Sequence, residues 1–202
     1  MIIHDCIQGP DDWYKLRLGK VTASCFGKAI AAGQGKTRKT YMIQLIAERL
    51  TQSEQEGFSS AVMVRGQEIE PYAREYYELL NDVSIREVGF VERNENIGAS
   101  PDGFIGEDGL IEIKCPLSTT HIATILADKV PTTHKPQIQG QLWVCEREWC
   151  DFVSYDPRVR QRPFFCERVY RDEDYIKELH IKIQMFIDEM NQMMQILTKP
   201  VF

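Results

Sequence analysis

The stretch SPDGFIGEDGLIEIKCP, Ser100 to Pro116, decides how the chain folds. It opens on a Pro-Asp-Gly turn, passes through Gly106-Glu107-Asp108-Gly109, and ends in a short strand that sets Glu112 and Lys114 among Leu110, Ile111 and Ile113. The glycine-flanked loop makes the two halves a hairpin. On a strand, residues two apart share a face, so Glu112 and Lys114 project together while Ile111 and Ile113 enter the core. The hairpin partner brings Asp102 beside Glu112. Two carboxylates and an ammonium on one sheet face suit a hard divalent cation bound through oxygen, with the lysine at the remaining opening. That arrangement suits phosphodiester hydrolysis: the cation polarises the phosphoryl oxygen and acidifies a water that the lysine orients or deprotonates. A surface ion pair beside an ordinary turn is the competing reading of so short a motif. The apolar packing, the hairpin and the flanking Ser100-Pro101 and Cys115-Pro116 favour the site.

Outward from the hairpin, helices precede strands and helix returns at the end. DDWYKLRLG (11–19) reads as a short helix stopped by Gly19, and TASCFGKAIAA (22–32) as a second, with Thr22 or Ser24 as its N-cap. TRKTYMIQLIAERLTQ (37–52) spaces Met42, Leu45, Ile46 and Leu50 near helical period. SEQEGFSS (53–60) is a polar connection. Residues 60–80 read as helix, with Pro71 starting a new one or kinking it. VSIREVGFVE (83–92) and IGASPDGFI (97–105) are strands leading into the third, GLIEIKC (109–115). THIATILADK and KPQIQGQLWVCE read as helices, WCDFVSYD and PFFCERVYR as strands, and an amphipathic helix runs from Asp172 to about Leu197. With no repeat, linker or low-complexity segment, residues 1–202 form a single α/β domain around a small mixed sheet.

At 202 residues and 43% hydrophobic, the chain can bury one core. It shows no membrane-length run and no export signal in MIIHDCIQGPDDW, so a cytoplasmic location is expected. Six cysteines without a CxxC pair read as buried thiols in a reducing compartment. The net charge of −6 hides an asymmetry: residues 1–40 carry +4 and the remainder −10. Lys15, Arg17, Lys20, Lys28, Lys36, Arg38 and Lys39 form one basic set; Arg158, Arg160, Arg162, Arg168 and Arg171 form another. Such local faces accept a polyanion, above all where metal ions neutralise an acidic centre.

Three other signals fail. GQGKT (33–37) lacks the first glycine of a P-loop, Ile30 standing there, and follows a helix. The histidines at 4, 121, 134 and 180 have no zinc-ligand spacing. Cys145, Cys150 and Cys166 are too irregular for an iron–sulfur cluster.

The chain resembles the PD-(D/E)XK nucleases, and among them the phage lambda exonuclease or YqaJ-type viral recombinase group. WYKLRLGKVTAS (13–24), RGQEIEPYAREYY (65–77), SPDGFI…LIEIKCP, PQIQGQLWV (136–144) and SYDPR (154–158) are similar to that family's motifs and occur in its order. The resemblance implies a restriction-endonuclease-like α/β core, a central mixed sheet flanked by helices. It implies that Asp102, Glu112 and Lys114 are the catalytic triad, with the Ile113 carbonyl and Glu70 as further metal ligands and Gln137 beside the attacking water. It implies that Arg17, Ser24 and Ser100 receive a terminal 5′ phosphate and that Met63 wedges between terminal base pairs. Alone, Glu70, Arg17, Gln137 and Met63 would read as solvated or core residues; their order around the hairpin is what lifts them. One position departs: Thr119 and Thr120 stand where the archetype has an arginine after Cys-Pro, so that arginine's hold on phosphate is either missing or supplied by another residue. The activity implied is a Mg²⁺-dependent (Mn²⁺-tolerant, two-ion) double-stranded DNA exonuclease. It digests the 5′ strand and leaves a 3′ overhang for single-strand-annealing recombination. The implied setting is a homotrimeric ring acting on duplex ends in a bacterial host's cytoplasm, from a phage or prophage, with an annealing protein as partner. A PD-(D/E)XK endonuclease and an inactive DNA-end-binding scaffold are the alternatives; the intact triad speaks against the second.

Overall fold

The structure is a computed structural model that describes residues 1–32, 36–54 and 61–199, residues 61–63 by their backbone only. The strands are β1 (Ile2–His4), β2 (Val21–Thr22), β3 (Ile85–Arg86), β4 (Phe90–Asn94), β5 (Ile97–Ala99), β6 (Gly103–Ile105), β7 (Gly109–Lys114), β8 (Trp149–Tyr155) and β9 (Phe164–Tyr170). The helices are α1 (Asp11–Arg17), α2 (Phe26–Ala29), α3 (Lys36–Thr51), α4 (Ala61–Asn81), α5 (Ser118–Ala127), α6 (Lys135–Cys145) and α7 (Glu173–Leu197). The mixed α/β architecture is as expected, but the strands divide between two sheets, in the orders β1-β4-β5-β2 and β3-β6-β7-β8-β9.

The division cuts through two segments that read as single strands. β4 pairs antiparallel with β5 in the smaller sheet, while their continuations β3 and β6 pair in the larger one. One long hairpin is therefore bent at Glu87–Gly89 on one arm and Ser100–Asp102 on the other. Pro101 has no N–H for a ladder and suits such a break. The Gln8 amide ties the arms there, donating to the carbonyls of Val88 (2.8 Å) and Pro101 (2.9 Å). Asp102 thus lies where the chain passes from one sheet to the other.

The larger sheet is covered on both faces. Leu110 and Phe152 belong to the main core with residues of α3, α6 and α7. Ile111, Ile113 and Val153 pack on the other face against Ala73 and Tyr77 of α4. β7 and β8 run parallel, which requires the crossover supplied by α5 and α6. The β6–β7 turn is as expected, with Gly106 at φ +56°, a left-handed conformation that favours glycine.

Three readings are corrected and two short strands are added. After Val21–Thr22 the chain makes a 3₁₀ turn (Ala23–Cys25) before the four-residue α2, and neither Thr22 nor Ser24 caps it; their hydroxyls face each other at 3.3 Å. β1 and β2 do not show in the sequence pattern because strands of three and two residues have no periodicity. α4 continues through Pro71, so Pro71 starts no new helix; it leaves the Gln67 carbonyl without its usual N–H partner, the condition for the kink that is the other reading. The cysteines are all free, but only Cys145 and Cys150 are buried, and Cys166 is exposed on the edge strand β9. Residues 33–35 of GQGKT and 55–60 of the polar connection lie outside the described residues.

Candidate active site

β7 carries Glu112 and Lys114 on the face that meets α6. Glu112 is 1% exposed, and an unpartnered carboxylate there would cost several kcal/mol. It has three donors. Gln137 Nε2 reaches Oε1 at 2.6 Å and Gln141 Nε2 reaches Oε2 at 2.6 Å, from positions one turn apart on α6. The Lys114 ammonium contacts Oε1 from the partly exposed end of the strand. Burial alone would pull Lys114 down, but the Glu112 and Asp102 carboxylates outweigh it and hold the ammonium above its usual range.

Asp102 faces this strand from the sheet crossing, its Oδ2 accepting from the Ile113 amide at 2.6 Å. Glu70 approaches from α4. Its carboxylate pairs with Arg74 at 2.9 Å, one helical turn on, and Arg74 also pairs with Glu87 at 2.8 Å and touches the Asp102 carbonyl at 3.4 Å. The site therefore unites Asp102, Glu112, Ile113, Lys114, Glu70 and Gln137. Gln141 and Arg74 join them without having been expected, although each stands four residues from a named residue on the same helix, the spacing that puts two side chains on one face.

The charges are crowded. Burial, then the charges of Glu112 and Glu70, hold the Asp102 carboxyl well above the usual range. Burial also raises Glu70; Arg74 opposes the shift and Glu112 adds to it. A hard divalent cation among these oxygens would relieve the mutual repulsion, so the donor set fits Mg²⁺ or Mn²⁺. Among the described residues no three His, Cys, Asp or Glu side chains converge on a common point. Glu112 is aimed instead at two amides and an ammonium, and Asp102 at a backbone N–H.

A cleft of about 1310 Å³ runs from Glu70, Arg74 and Asp102 to Trp13, Arg17 and Lys20; Glu112 and Lys114 are not among its lining residues. Arg17 Nη1 donates to Ser100 Oγ at 2.9 Å, and its guanidinium stacks 4.2 Å from the centre of the Trp13 ring. Trp13 Nε1 donates to the same hydroxyl at 3.0 Å. Ser100 precedes the Pro101-Asp102 crossing, which links this pocket directly to the carboxylates. Ser24 is exposed beside Thr22, which lines the cleft. The side chain of Met63 lies outside the described residues. Thr119 and Thr120 are exposed in the first turn of α5. A guanidinium nonetheless occupies the Cys-Pro loop: Arg65 of α4 donates to the carbonyls of Cys115 (3.3 Å) and Pro116 (3.1 Å).

A two-sheet α/β core with an Asp, Glu and Lys at the crossing of its hairpin defines a nuclease-type protein. The model of the YqaJ-like viral recombinase domain matches residues 12–148. The chain belongs to that family. LHK-Exo, an alkaline exonuclease from Laribacter hongkongensis, is 39% identical over 93% of this chain and 96% of its own, with a TM-score of 0.87. The same protein in complex with dAMP superposes with a TM-score of 0.88 at the same identity and coverage. A phage-related exonuclease from Haemophilus somnus 129PT shares the fold at a TM-score of 0.69 and 18% identity, over 89% of this chain and 96% of that one. No curated protein matches the chain. Among the described residues no helix is long and apolar enough to cross a membrane.

Proposed function

We propose that the protein is a Mg²⁺-dependent exonuclease that digests the 5′ strand of duplex DNA from its end and leaves a 3′ overhang. The observation that carries this reading is Asp102, bonded to the backbone of the strand that holds the buried Glu112 and Lys114, lining with Glu70 a cleft that also holds Arg17. The 39% identity to an alkaline exonuclease, and that protein's complex with a mononucleotide, support it.

Asp102, Glu112, Glu70 and the Ile113 carbonyl would hold the metal, two ions in all. When bound, the ions supply Lewis acidity at the phosphoryl oxygen and lower the pKa of a coordinated water. Lys114 would hold and orient a water against the phosphorus. Gln137 stands beside it, and with Gln141 keeps the Glu112 carboxylate in one rotamer. The Arg17 guanidinium and the hydroxyls of Ser100 and Ser24 receive the terminal 5′ phosphate through charge-assisted hydrogen bonds, fixing which bond reaches the carboxylates. Met63 is proposed as the wedge at the terminal pair. The partner of the overhang would be a phage-type single-strand annealing protein, and the setting the cytoplasm of a bacterial host.

Linear duplex labelled at either end tests the reading. With Mg²⁺ or Mn²⁺ the 5′-labelled strand should release mononucleotide, and with EDTA neither strand should change. Ca²⁺ should bind yet support little cleavage, because its looser coordination places the nucleophile poorly. Cleavage of closed circles would favour an endonuclease, and cleavage in EDTA would remove the metal mechanism.

A further inference from the structure

We propose that the turn after β8, Asp156–Pro163, is a second DNA-backbone contact, one that grips duplex phosphates through Arg160 and Arg162; this rests on the nuclease reading above. The turn reads DPRVRQRP, and its single acid is buried at 0% exposure. Its exposed residues are Pro157, Gln161 and three arginines, Arg158, Arg160 and Arg162.

Its place is set by the catalytic strand. β7 and β8 are parallel, with Lys114 opposite Ser154, so the chain leaves both strands at the same sheet edge. Arg65 joins the two exits, bonding the Cys115 and Pro116 carbonyls and also Asp156 Oδ1 at 2.9 Å. In open α/β sheets, ligands lie against that edge.

The turn is anchored at both ends. Asp156 accepts from Ser118 Oγ (2.6 Å), from Arg65, and from the Arg158 backbone (3.1 Å) and guanidinium (2.9 Å to each oxygen). At the far end the buried His121 bridges Ser154 Oγ (2.8 Å) and the Arg162 carbonyl (3.0 Å). The carbonyl can only accept, so Nε2 carries the proton there. The turn closes on itself through Asp156 N to the Pro163 carbonyl, 2.9 Å, and Arg162 N to the Val159 carbonyl, 3.0 Å. A turn anchored in this way, with exposed guanidinium groups, is preorganised for a polyanion.

The other arginines of the C-terminal basic set are engaged elsewhere: Arg168 pairs with Asp151 and Arg171 with Glu173. Among the described residues, Arg160 and Arg162 have no ion-pair partner. Their charge is available to phosphate.

The test uses Arg160→Gln/Arg162→Gln, which leaves the Asp156 and His121 anchors in place. Fluorescence anisotropy with a 5′-phosphorylated duplex in EDTA, over a salt series, reads affinity without cleavage. Each phosphate that the protein no longer neutralises lowers the slope of log affinity against log salt by about 0.9. The double variant should therefore bind severalfold more weakly with a slope reduced by about two, at unchanged melting temperature. In Mg²⁺ it should raise KM for duplex and leave kcat and the preference for a 5′ phosphate unchanged. An unaltered slope would overturn the proposal, as would a changed mass in light scattering with an unaltered slope, which would make the turn a subunit contact. Absence of Mg²⁺-dependent cleavage by the wild type would instead strike the nuclease reading, which the binding series does not measure.

Discussion

Asp102 is held at the sheet crossing by one hydrogen bond from Ile113, amid two other carboxylates, and its proton affinity is raised. A folded pKa above the unfolded value means that ionised Asp102 opposes folding at neutral pH when no cation is bound. Asp102→Asn keeps an acceptor for the Ile113 amide and removes the charge. It should abolish cleavage yet raise the melting temperature in EDTA by a few degrees, a trade of stability for activity common at catalytic sites. A lower melting temperature would show that the carboxylates do not repel one another. At the other end of the cleft, Arg17 carries a charge partly removed from water, which lowers its pKa. A phosphate would compensate it. If Arg17 reads the 5′ phosphate, phosphorylated duplex should be digested faster than 5′-hydroxyl duplex, and Arg17→Ala should erase most of the difference without changing the Mg²⁺ requirement. Equal wild-type rates on both substrates would take Arg17 out of the site.

α6 reaches the site because Gly140 lets it lie against Phe26, where an added Cβ would come within 2.4 Å of the ring. Gly140→Ala should gain about 1 kcal/mol of helix propensity and lose about 1–3 kcal/mol to overpacking against a fully buried ring. The net expectation is a lower melting temperature and, because α6 carries Gln137 and Gln141, a higher Mg²⁺ concentration for half-maximal cleavage. A rise in both stability and metal affinity would show that α6 shifts freely. α4, α5 and the two parallel strands are tied at Asp156, whose carboxyl is buried yet held well below the usual range, since the Arg158 and Ser118 hydrogen bonds outweigh desolvation. A depressed folded pKa gives stability that is present above about 3.9 and is lost as pH falls through the lower folded value. Asp156→Asn should therefore cost about 3 kcal/mol near neutrality, and the gap to wild type should begin to narrow only as pH falls below about 4 and close only below the lower folded value; a constant gap would refute the assignment. These elements also mark how far the sequence could be read. The β6–β7 hairpin was legible because a glycine turn separates two apolar runs, and α7 because Ile176, Leu179, Ile183 and Phe186 keep helical period. The bend that splits β3 from β4 and β5 from β6 was not, since both arms read as continuous strands and the tie is a distant Gln8. Asp102, Glu112 and Lys114 were legible as a set. That Glu112 needs two amides became apparent only with its burial, which places Gln141 in the site.

At the scale of the whole molecule, the question is how a chain with a net charge of −6 stays on DNA. Nonspecific hold comes from Lys and Arg neutralising phosphates, and much of this chain's basic inventory is already neutralised within it. Lys15 pairs with Asp12, Lys20 with Glu92, Arg38 with Glu189 and Arg168 with Asp151. What remains near the cleft and the β8–β9 turn suffices to orient a duplex end, but not to keep an enzyme bound through many cleavage steps. A topological restraint solves that problem without more charge. We therefore propose a ring of three identical subunits, duplex entering one side and a single strand leaving the other, built by one heterologous interface used three times. Light scattering should give three times the chain mass of 23.4 kDa. Digestion begun before a large excess of unlabelled duplex is added should continue for long tracts, because a closed ring does not exchange between steps. Both measurements are needed: a trimer that releases its substrate after a few nucleotides would have an interface without enclosure. A monomer that dissociates at that rate would refute the ring and leave the chemistry at Asp102, Glu112 and Lys114 untouched.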